Sequence, residues 1–169
     1  ATALVDGDNG MGHLVVARAA ETAIELAREC GVAWVGCRMS GHAGAAGVYA
    51  ALPLKADMIG IYSAVANANH MPLAGGAEPL LGTNPLAIAF PGLEEPPVVI
   101  DMATPAAAFG KIEMSIRTDR PIPDGWAIDR DGNPTTDPHA MVDGGAMLPL
   151  GADREHGGHK GYCLGAMVD

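Results

Sequence analysis

The first part of the chain alternates a helical pattern with a strand pattern, and this order limits the possible folds more than any other feature. Between residues 12 and 30 the apolar side chains recur on one helical face, at Val16, Ala20, Ala23, Ile24 and Ala27. Gly31 follows where helices commonly stop. The apolar run at residues 32–39 then predicts a short buried strand.

Later segments continue the alternation. Further helices are predicted at residues 43–52, with Pro53 ending or kinking the first, at 106–117 after Pro105, and from about His159. Strands are predicted at residues 58–66, 86–90 and 98–102. Residues 118–153 are rich in Pro, Gly and Asp, so we expect mostly loop there. Together these patterns favour a mixed α/β fold whose helices cover a sheet.

Composition limits the size and the partners of the protein. The 169 residues, of which 49% are hydrophobic, suffice for one compact domain over residues 1–169, with room for a small subdomain. The net charge of -10 disfavours nucleic acid as a partner. No apolar run reaches the roughly 18 to 20 residues of a membrane span. The odd number of cysteines, Cys30, Cys37 and Cys163, suggests buried thiols in the reducing cytoplasm.

Several familiar ligand motifs fail on spacing. Residues 7–12 contain three glycines but not the G-x-G-x-x-G order of a Rossmann dinucleotide site. The acidic loops that begin at Asp6 and Asp129 lack the later ligands of a calcium loop, and we interpret both as turns. His156 and His159 have no cysteine or carboxylate at zinc-ligand spacing, so no metal site is predicted.

One histidine follows the first predicted strand in a setting of small residues. The segment Ser40-Gly41-His42-Ala43-Gly44 leaves space for a substrate beside His42. An imidazole, with an ordinary pKa near ~6.5, can accept or donate a proton around neutral pH. His42 is therefore a candidate general base, and the alternative is a histidine that only hydrogen-bonds within its loop.

A series of short motifs appears in a characteristic order along the chain. They are Ser40-Gly41-His42-Ala43-Gly44, Asn67-Ala68-Asn69-His70, Gly75-Gly76, Gly82-Thr83-Asn84-Pro85, Ile100-Asp101-Met102-Ala103-Thr104, Gly110-Lys111-Ile112, Gly125-Trp126-Ala127, Pro134-Thr135-Thr136-Asp137-Pro138 and His159-Lys160-Gly161-Tyr162. From about Asp6 to Asp169 the chain resembles the malate/L-lactate dehydrogenase family that is unrelated to the Rossmann-type enzymes of similar name. Relatives in that family include ureidoglycolate, sulfolactate and diketogulonate oxidoreductases and cyclic-imine reductases.

The resemblance implies a non-Rossmann fold that binds NAD or NADP and transfers a hydride between the cofactor and a small 2-hydroxy acid such as malate or lactate. Ureidoglycolate, sulfolactate and cyclic imino acids stay open as alternative substrates. By the same resemblance His42 is the catalytic acid/base. The implied cofactor contacts are Asp101, Met102, Ala103, Thr104, His159 and Lys160, and the implied substrate contacts are Ser40, His70 and Asn84.

Several of these residues have an alternative role that is structural or solvent-exposed and involves no ligand. Lys160 could be a solvated helix residue, Asn84 could cap a turn, and His70 could pack under the pocket instead of lining it. In the family a segment upstream of these motifs supplies an arginine for the substrate carboxylate. Arg38 could substitute for it, although a structural or solvated role suits Arg38 better.

The resemblance also bears on completeness and assembly. Relatives are longer at both ends, so we expect this chain to be a piece of a longer one, and we expect a homodimer. A non-catalytic scaffold or dimerisation module is the alternative from a different functional class.

Overall fold

A computed structural model describes all 169 residues. The chain forms two compact units: unit 1 comprises Ala1–Tyr62 and Ala87–Met102, and unit 2 comprises Ser63–Leu86 and Ala103–Asp169. The expectation of a single domain stays a prediction. No helix has both the length and the apolar character that crossing a membrane requires.

Strands and helices alternate over much of the chain, as the patterns indicated. The strands are β1 Thr2–Gly10, β2 Trp34–Ser40, β3 Gly60–Ser63, β4 Met71–Pro72, β5 Pro79–Leu81, β6 Leu86–Phe90, β7 Val98–Met102, β8 Ala127–Ile128, β9 Pro134–Thr135 and β10 Ala146–Met147. The α-helices are α1 Gly12–Cys30, α2 Ala46–Ala50, α3 Phe109–Arg117, α4 Pro138–Val142 and α5 Gly158–Val168, and a 3-10 helix covers Leu52–Ala56. Parallel and antiparallel pairs both occur, which confirms a mixed α/β fold.

In unit 1, helix α1 packs on a two-stranded parallel sheet of β1 and β2. The helix has the predicted bounds and ends at Gly31, whose φ of 80° lets its N–H donate to the carbonyl of Ala27. Val15, Val16 and Ala19 are its buried apolar side chains. The second sheet has the strand order β3-β6-β7, and the bounds of β6 and β7 agree with the sequence prediction.

Strand β1 was not predicted, and the expected turn at Asp6 lies inside it. Asp8 and Asn9 have positive φ angles of 48° and 56°, and the Asp8 N–H donates to the carboxylate of Asp6. The pairing register shifts between Asp6 and Gly10. The predicted turn at Asp6 is therefore present. It forms an irregularity within β1 and does not end the strand.

The prediction of a buried strand at residues 32–39 was wrong about burial. Trp34 is 62% exposed, because α1 covers only one face of this two-stranded sheet. The prediction of buried thiols was wrong as well: Cys30, Cys37 and Cys163 are all exposed.

Two helix predictions were too long at one end. The helix expected at residues 43–52 consists of α2 and then the 3-10 helix, with Pro53 in the first turn of the latter. Helix α3 begins at Phe109 because the preceding residues extend toward another segment of unit 2. Pro105 forms a β-bridge with Pro149, and the Ala106 N–H donates to the carbonyl of Leu148.

Residues 118–153 contain more structure than predicted. Strand β8 lies between β9 and β10, and α4 packs beside them. Met141 and Met147 from this region form a buried cluster with Ile112 of α3. Strands of two residues are too short to show any periodicity, which is why the sequence did not indicate them. The predicted turn at Asp129 is confirmed, since its carboxylate accepts the N–H groups of Asp131 and Asn133.

Candidate functional site

In unit 1, His42 lies on an exposed loop, residues 41–45, between β2 and α2. Ser40, the last residue of β2, is exposed beside it. No hydrogen bond within the chain engages the imidazole of His42, so both ring nitrogens are open to a ligand.

The backbone of this loop is closely packed even though the imidazole is free. The Gly41 N–H donates to the carbonyl of Gly10 at 3.0 Å. A Cβ on Gly12, the first residue of α1, would overlap the carbonyl oxygen of Gly41. Gly44 has φ of 76°, and a Cβ there would lie 2.9 Å from Nε2 of His13. The sequence reasoning missed Gly12 and His13, because it tested the glycines at 10 and 12 only as a dinucleotide motif.

A buried tyrosine, Tyr49, also contacts the loop at residues 41–45. Tyr49 of α2 is 5% exposed, and its hydroxyl donates to the carbonyl of Ala43, next to His42. Its ring packs on Tyr62, with centroids 5.4 Å apart. Burial raises the pKa of Tyr49, which keeps the phenol protonated and able to donate. Tyr49 was also missed, and helical spacing alone would have marked it only as a core residue.

Asp101, expected at the cofactor, has a contact within unit 1. Its Oδ2 accepts the N–H of Gly47 at 2.7 Å, which caps the first turn of α2. The residue remains exposed at the end of β7. Burial, and then the negative charges of neighbouring groups including Asp101, raise the pKa of Tyr62. Met102 is half-buried at the end of the same strand.

In unit 2, Asn84 and Thr104 are fully buried polar residues whose hydrogen bonds are satisfied. The Asn84 amide donates to the carbonyl of Gly165 and accepts the N–H of Ala66. Thr104 donates from both its N–H and its hydroxyl to the carbonyl of Thr83. These contacts favour the turn-holding role for Asn84. Its substrate contact, and the cofactor contact of Thr104, stay predictions that these contacts do not support.

His70 lines a half-open surface hollow of about 230 Å³ in unit 2. The residue is half-buried, and its Nδ1 lies 2.9 Å from the carbonyl oxygen of Ala68. Its ring packs against the ring of Phe109, with centroids 4.5 Å apart. The substrate contact of His70 stays a prediction.

His159 and Lys160 are exposed in the first turn of α5. The preceding Gly157 has φ of 89°, and the Lys160 N–H donates to its carbonyl. Just upstream, the N–H and imidazole of His156 hold the pKa of Asp153 below its ordinary value. The Lys160 ammonium forms no ion pair, so it is available to an anionic group.

Arg38 is already paired. Its guanidinium donates to the carboxylate of Asp6 on the neighbouring strand, with the shortest contact at 2.8 Å. This exposed ion pair favours the structural interpretation of Arg38 over a substrate-binding one.

The candidate residues thus divide between the two units. Ser40, His42, Asp101 and Met102 belong to unit 1, whereas His70, Asn84, Ala103, Thr104, His159 and Lys160 belong to unit 2. The structure brings the loop of His42 together with α2 and Asp101, and it links Asn84 and Thr104 through the turn at Thr83. No group of three or more His, Cys, Asp or Glu side chains could hold a metal ion.

Comparison with known proteins gives consistent matches over the whole chain. A malate dehydrogenase of Pyrococcus horikoshii is 46% identical over 171 residues, which cover 99% of this chain and 46% of that protein. An L-sulfolactate dehydrogenase of Methanothermobacter thermautotrophicus is 44% identical over 168 residues, covering 99% of this chain and 47% of that protein. The chain therefore spans about half the length of the curated relatives it matches.

Solved structures agree with this result. The crystal structure of malate dehydrogenase from Entamoeba histolytica superposes with a TM-score of 0.92 at 37% identity, covering 99% of this chain and 48% of that one. The family model for malate/L-lactate dehydrogenase matches residues 1–169. The chain therefore belongs to the malate/L-lactate dehydrogenase family.

Proposed function

We propose that this chain is the cofactor-binding and catalytic part of an oxidoreductase that transfers a hydride between a nicotinamide cofactor and a small 2-hydroxy acid such as malate or lactate. The observation that carries the proposal is the family match over residues 1–169, with named dehydrogenases at 44% and 46% identity. Ureidoglycolate, sulfolactate and cyclic imino acids are alternative substrates within the same family. We also propose that the protein acts in the cytoplasm as a homodimer.

Oxidation of a 2-hydroxy acid needs a group that takes the hydroxyl proton, and reduction needs the same group to return it. His42 is suited to this task because its loop backbone is held by Gly10, Gly12 and Tyr49, while both imidazole nitrogens are free. Ser40 lies beside it on the exposed end of β2. We assign His42 as the acid/base and Ser40 as a substrate contact.

The residues of α5 fit an anionic cofactor. The N-terminal end of a helix carries partial positive charge, and the exposed Lys160 adds a full charge at this end of α5. NAD or NADP, when bound, supplies the hydride acceptor and the phosphates for which such a donor set is suited. We assign His159 and Lys160 to the phosphates, and the segment from Asp101 to Ala103 to the rest of the cofactor.

Cofactor binding is the first test, because it can be measured whether or not turnover occurs. NADH and NADPH are titrated separately into the chain while nicotinamide fluorescence is recorded. Saturable binding of either supports the proposal, and the Lys160→Ala variant should bind more weakly. Lys111→Ala is the matched control, because Lys111 lies over the Trp126 ring and not in α5.

A failure to bind either dinucleotide and to turn over any substrate would contradict the proposal. If neither dinucleotide binds and no candidate substrate is oxidised or reduced, the non-catalytic scaffold is the better description. Sedimentation of the same sample tests the homodimer, and a monomer at all concentrations contradicts it.

A further inference from the structure

An aspartate, Asp153, orders the turn that leads into helix α5. Its carboxylate accepts the N–H of His156 at 2.8 Å, and its carbonyl accepts the N–H of Gly158 at 2.7 Å. A side chain that accepts the N–H three residues later is a common cap of a helical turn. Asp153 therefore fixes the turn at residues 153–157, after which α5 begins at Gly158.

The side chain of Lys160 extends back over this turn. Helical side chains point toward the N-terminus of their helix, and Lys160 is the third residue of α5. A Cβ on Gly157 would lie 3.7 Å from Cδ and 3.8 Å from Cε of Lys160. Three of the first four N–H groups of α5, those of Gly158, Lys160 and Gly161, donate to carbonyls within the chain. An anion at this end of α5 is therefore bound by side-chain charge and not by a row of free N–H groups.

The ring of His156 binds the same carboxylate that caps the turn. Its Nδ1 lies 2.8 Å from Oδ1 and 2.9 Å from Oδ2 of Asp153. The N–H of His156, and then its ring, hold the pKa of Asp153 below the ordinary value. The ionised carboxylate can only accept, so Nδ1 carries the hydrogen. The imidazole therefore engages both oxygens of the carboxylate.

Capping alone does not require this second contact. At the start of α4, Asp137 accepts the N–H of His139 at 2.9 Å, but the ring of His139 makes no hydrogen bond within the chain. The side chains of Asp153 and His156 are 56% and 74% exposed, and an ion pair as exposed as this contributes little to the free energy of unfolding. The ring contact therefore matters more for the charge around the turn than for its stability.

We infer that Asp153 and His156 are positioning residues for the dinucleotide: Asp153 fixes the turn along which Lys160 extends, and the ring of His156 engages the carboxylate so that it does not pair with the Lys160 ammonium. A free carboxylate there would compete with the phosphates for the ammonium and would repel them. Arg154 and Glu155, the other charged residues of the turn, form no ion pair. The inference rests on the proposed assignment of Lys160 to the cofactor phosphates.

Single variants test the two roles through the affinity for NADH and NADPH, measured by nicotinamide fluorescence. His156→Ala keeps the main-chain cap but frees the carboxylate, and should weaken binding about three- to fivefold, the range of an exposed ion pair. Asp153→Asn keeps an oxygen for the His156 N–H but removes the charge, and should strengthen binding about twofold. His139→Ala is the matched control, because this histidine also follows a capping aspartate, and it should leave the affinity unchanged.

The double variant separates charge from structure. If the freed carboxylate causes the loss in His156→Ala, adding Asp153→Asn should restore the affinity to that of Asp153→Asn alone. A pair that served only to stabilise the turn would show no such recovery. Asp153→Ala, which has no oxygen for the His156 N–H, should weaken binding because the turn is no longer held.

The Lys160 ammonium can also be observed without any cofactor. A chain labelled with 15N-lysine has only three such groups, those of Lys55, Lys111 and Lys160. In nuclear magnetic resonance spectra, His156→Ala should shift the Nζ resonance of Lys160, and adding Asp153→Asn should return it. The resonances of Lys55 and Lys111 should not change.

Two kinds of result would overturn the inference and leave the proposed function standing. The first is dinucleotide binding that His156→Ala does not weaken, or that the double variant does not restore. The second is an unchanged Lys160 resonance in His156→Ala. A wild-type chain that binds neither NADH nor NADPH would instead contradict the proposed function, and this inference with it. If Asp153→Ala fails to fold, the substitutions of exposed side chains by His156→Ala and Asp153→Asn still decide.

Discussion

The two candidate histidines are prepared for their ligands in opposite ways. At His42, in unit 1, the backbone of the loop is fixed by contacts with Gly10, Gly12 and Tyr49, but the ring has no partner. At His70, in unit 2, the backbone and the ring are both hydrogen-bonded, so the ring keeps one orientation and one tautomer. The difference teaches that a loop can fix where an imidazole is presented without fixing how it is protonated.

The largest effect expected from this comparison is on turnover. In a preparation that oxidises malate or lactate, His42→Ala should reduce turnover about 100-fold or more, because general acid/base catalysis is lost. Cofactor affinity should persist, as measured by nicotinamide fluorescence. Turnover within a few-fold of the wild type would remove His42 from the mechanism.

Substitution of Gly12, which leaves space for the loop at residues 41–45, should have the next largest effect. Gly12→Ala should lower the free energy of unfolding by about 1–3 kcal/mol, because the new methyl group would overlap the carbonyl of Gly41. Gly110→Ala is the matched control, since a Cβ at that helical position meets nothing within 4 Å. It should stabilise the protein by about 0.5–1 kcal/mol. Equal effects of the two substitutions in denaturant unfolding would contradict the close packing of the loop.

Removing the phenol of Tyr49 tests whether the loop is held from α2. Tyr49→Phe should cost about 1 kcal/mol of stability and accelerate hydrogen exchange of the amides at residues 41–45. Tyr62→Phe keeps the contact between the two rings and should leave that exchange unchanged. Unaltered exchange in Tyr49→Phe would show that the glycine contacts suffice alone.

The pH dependence of the same contact has a definite sign. Burial raises the pKa of Tyr49 in the folded protein, so the folded state holds its proton at pH values where the unfolded state has lost it. The contribution of this group to stability is complete below the ordinary tyrosine pKa of about 10 and decreases above it. Tyr49→Phe should therefore make stability above that pH less sensitive to pH.

Substitutions of Asp101 should have the smallest effect. They distinguish its capping hydrogen bond to Gly47 from a contact with the cofactor. Asp101→Asn keeps an oxygen that can accept the Gly47 N–H, whereas Asp101→Ala does not. We expect a loss of about 1 kcal/mol for alanine and much less for asparagine in thermal unfolding. If asparagine and alanine weaken cofactor binding equally, the carboxylate charge acts on the cofactor as well.

The sequence predicted long or strongly patterned elements well. Helix α1 has the predicted bounds because apolar residues recur over 19 residues and Gly31 ends them. Strands β6 and β7 were also placed correctly, since Gly and Pro clusters bound them. Strands β8, β9 and β10 were missed because two residues cannot show a period. The burial of β2 was misjudged because an apolar run does not reveal how many sides of its strand are covered.

For the site, the sequence by itself determined the family and the small-residue setting of His42, because these depend on residue identity and order. Only the tertiary structure decided which polar groups are free to act. It showed that Asn84 and Thr104 are buried and hydrogen-bonded, that Arg38 is paired, and that Tyr49 reaches the loop at Ala43. Hydrogen-bond partners come from segments distant along the chain, and no local pattern records which groups will meet them when the chain folds.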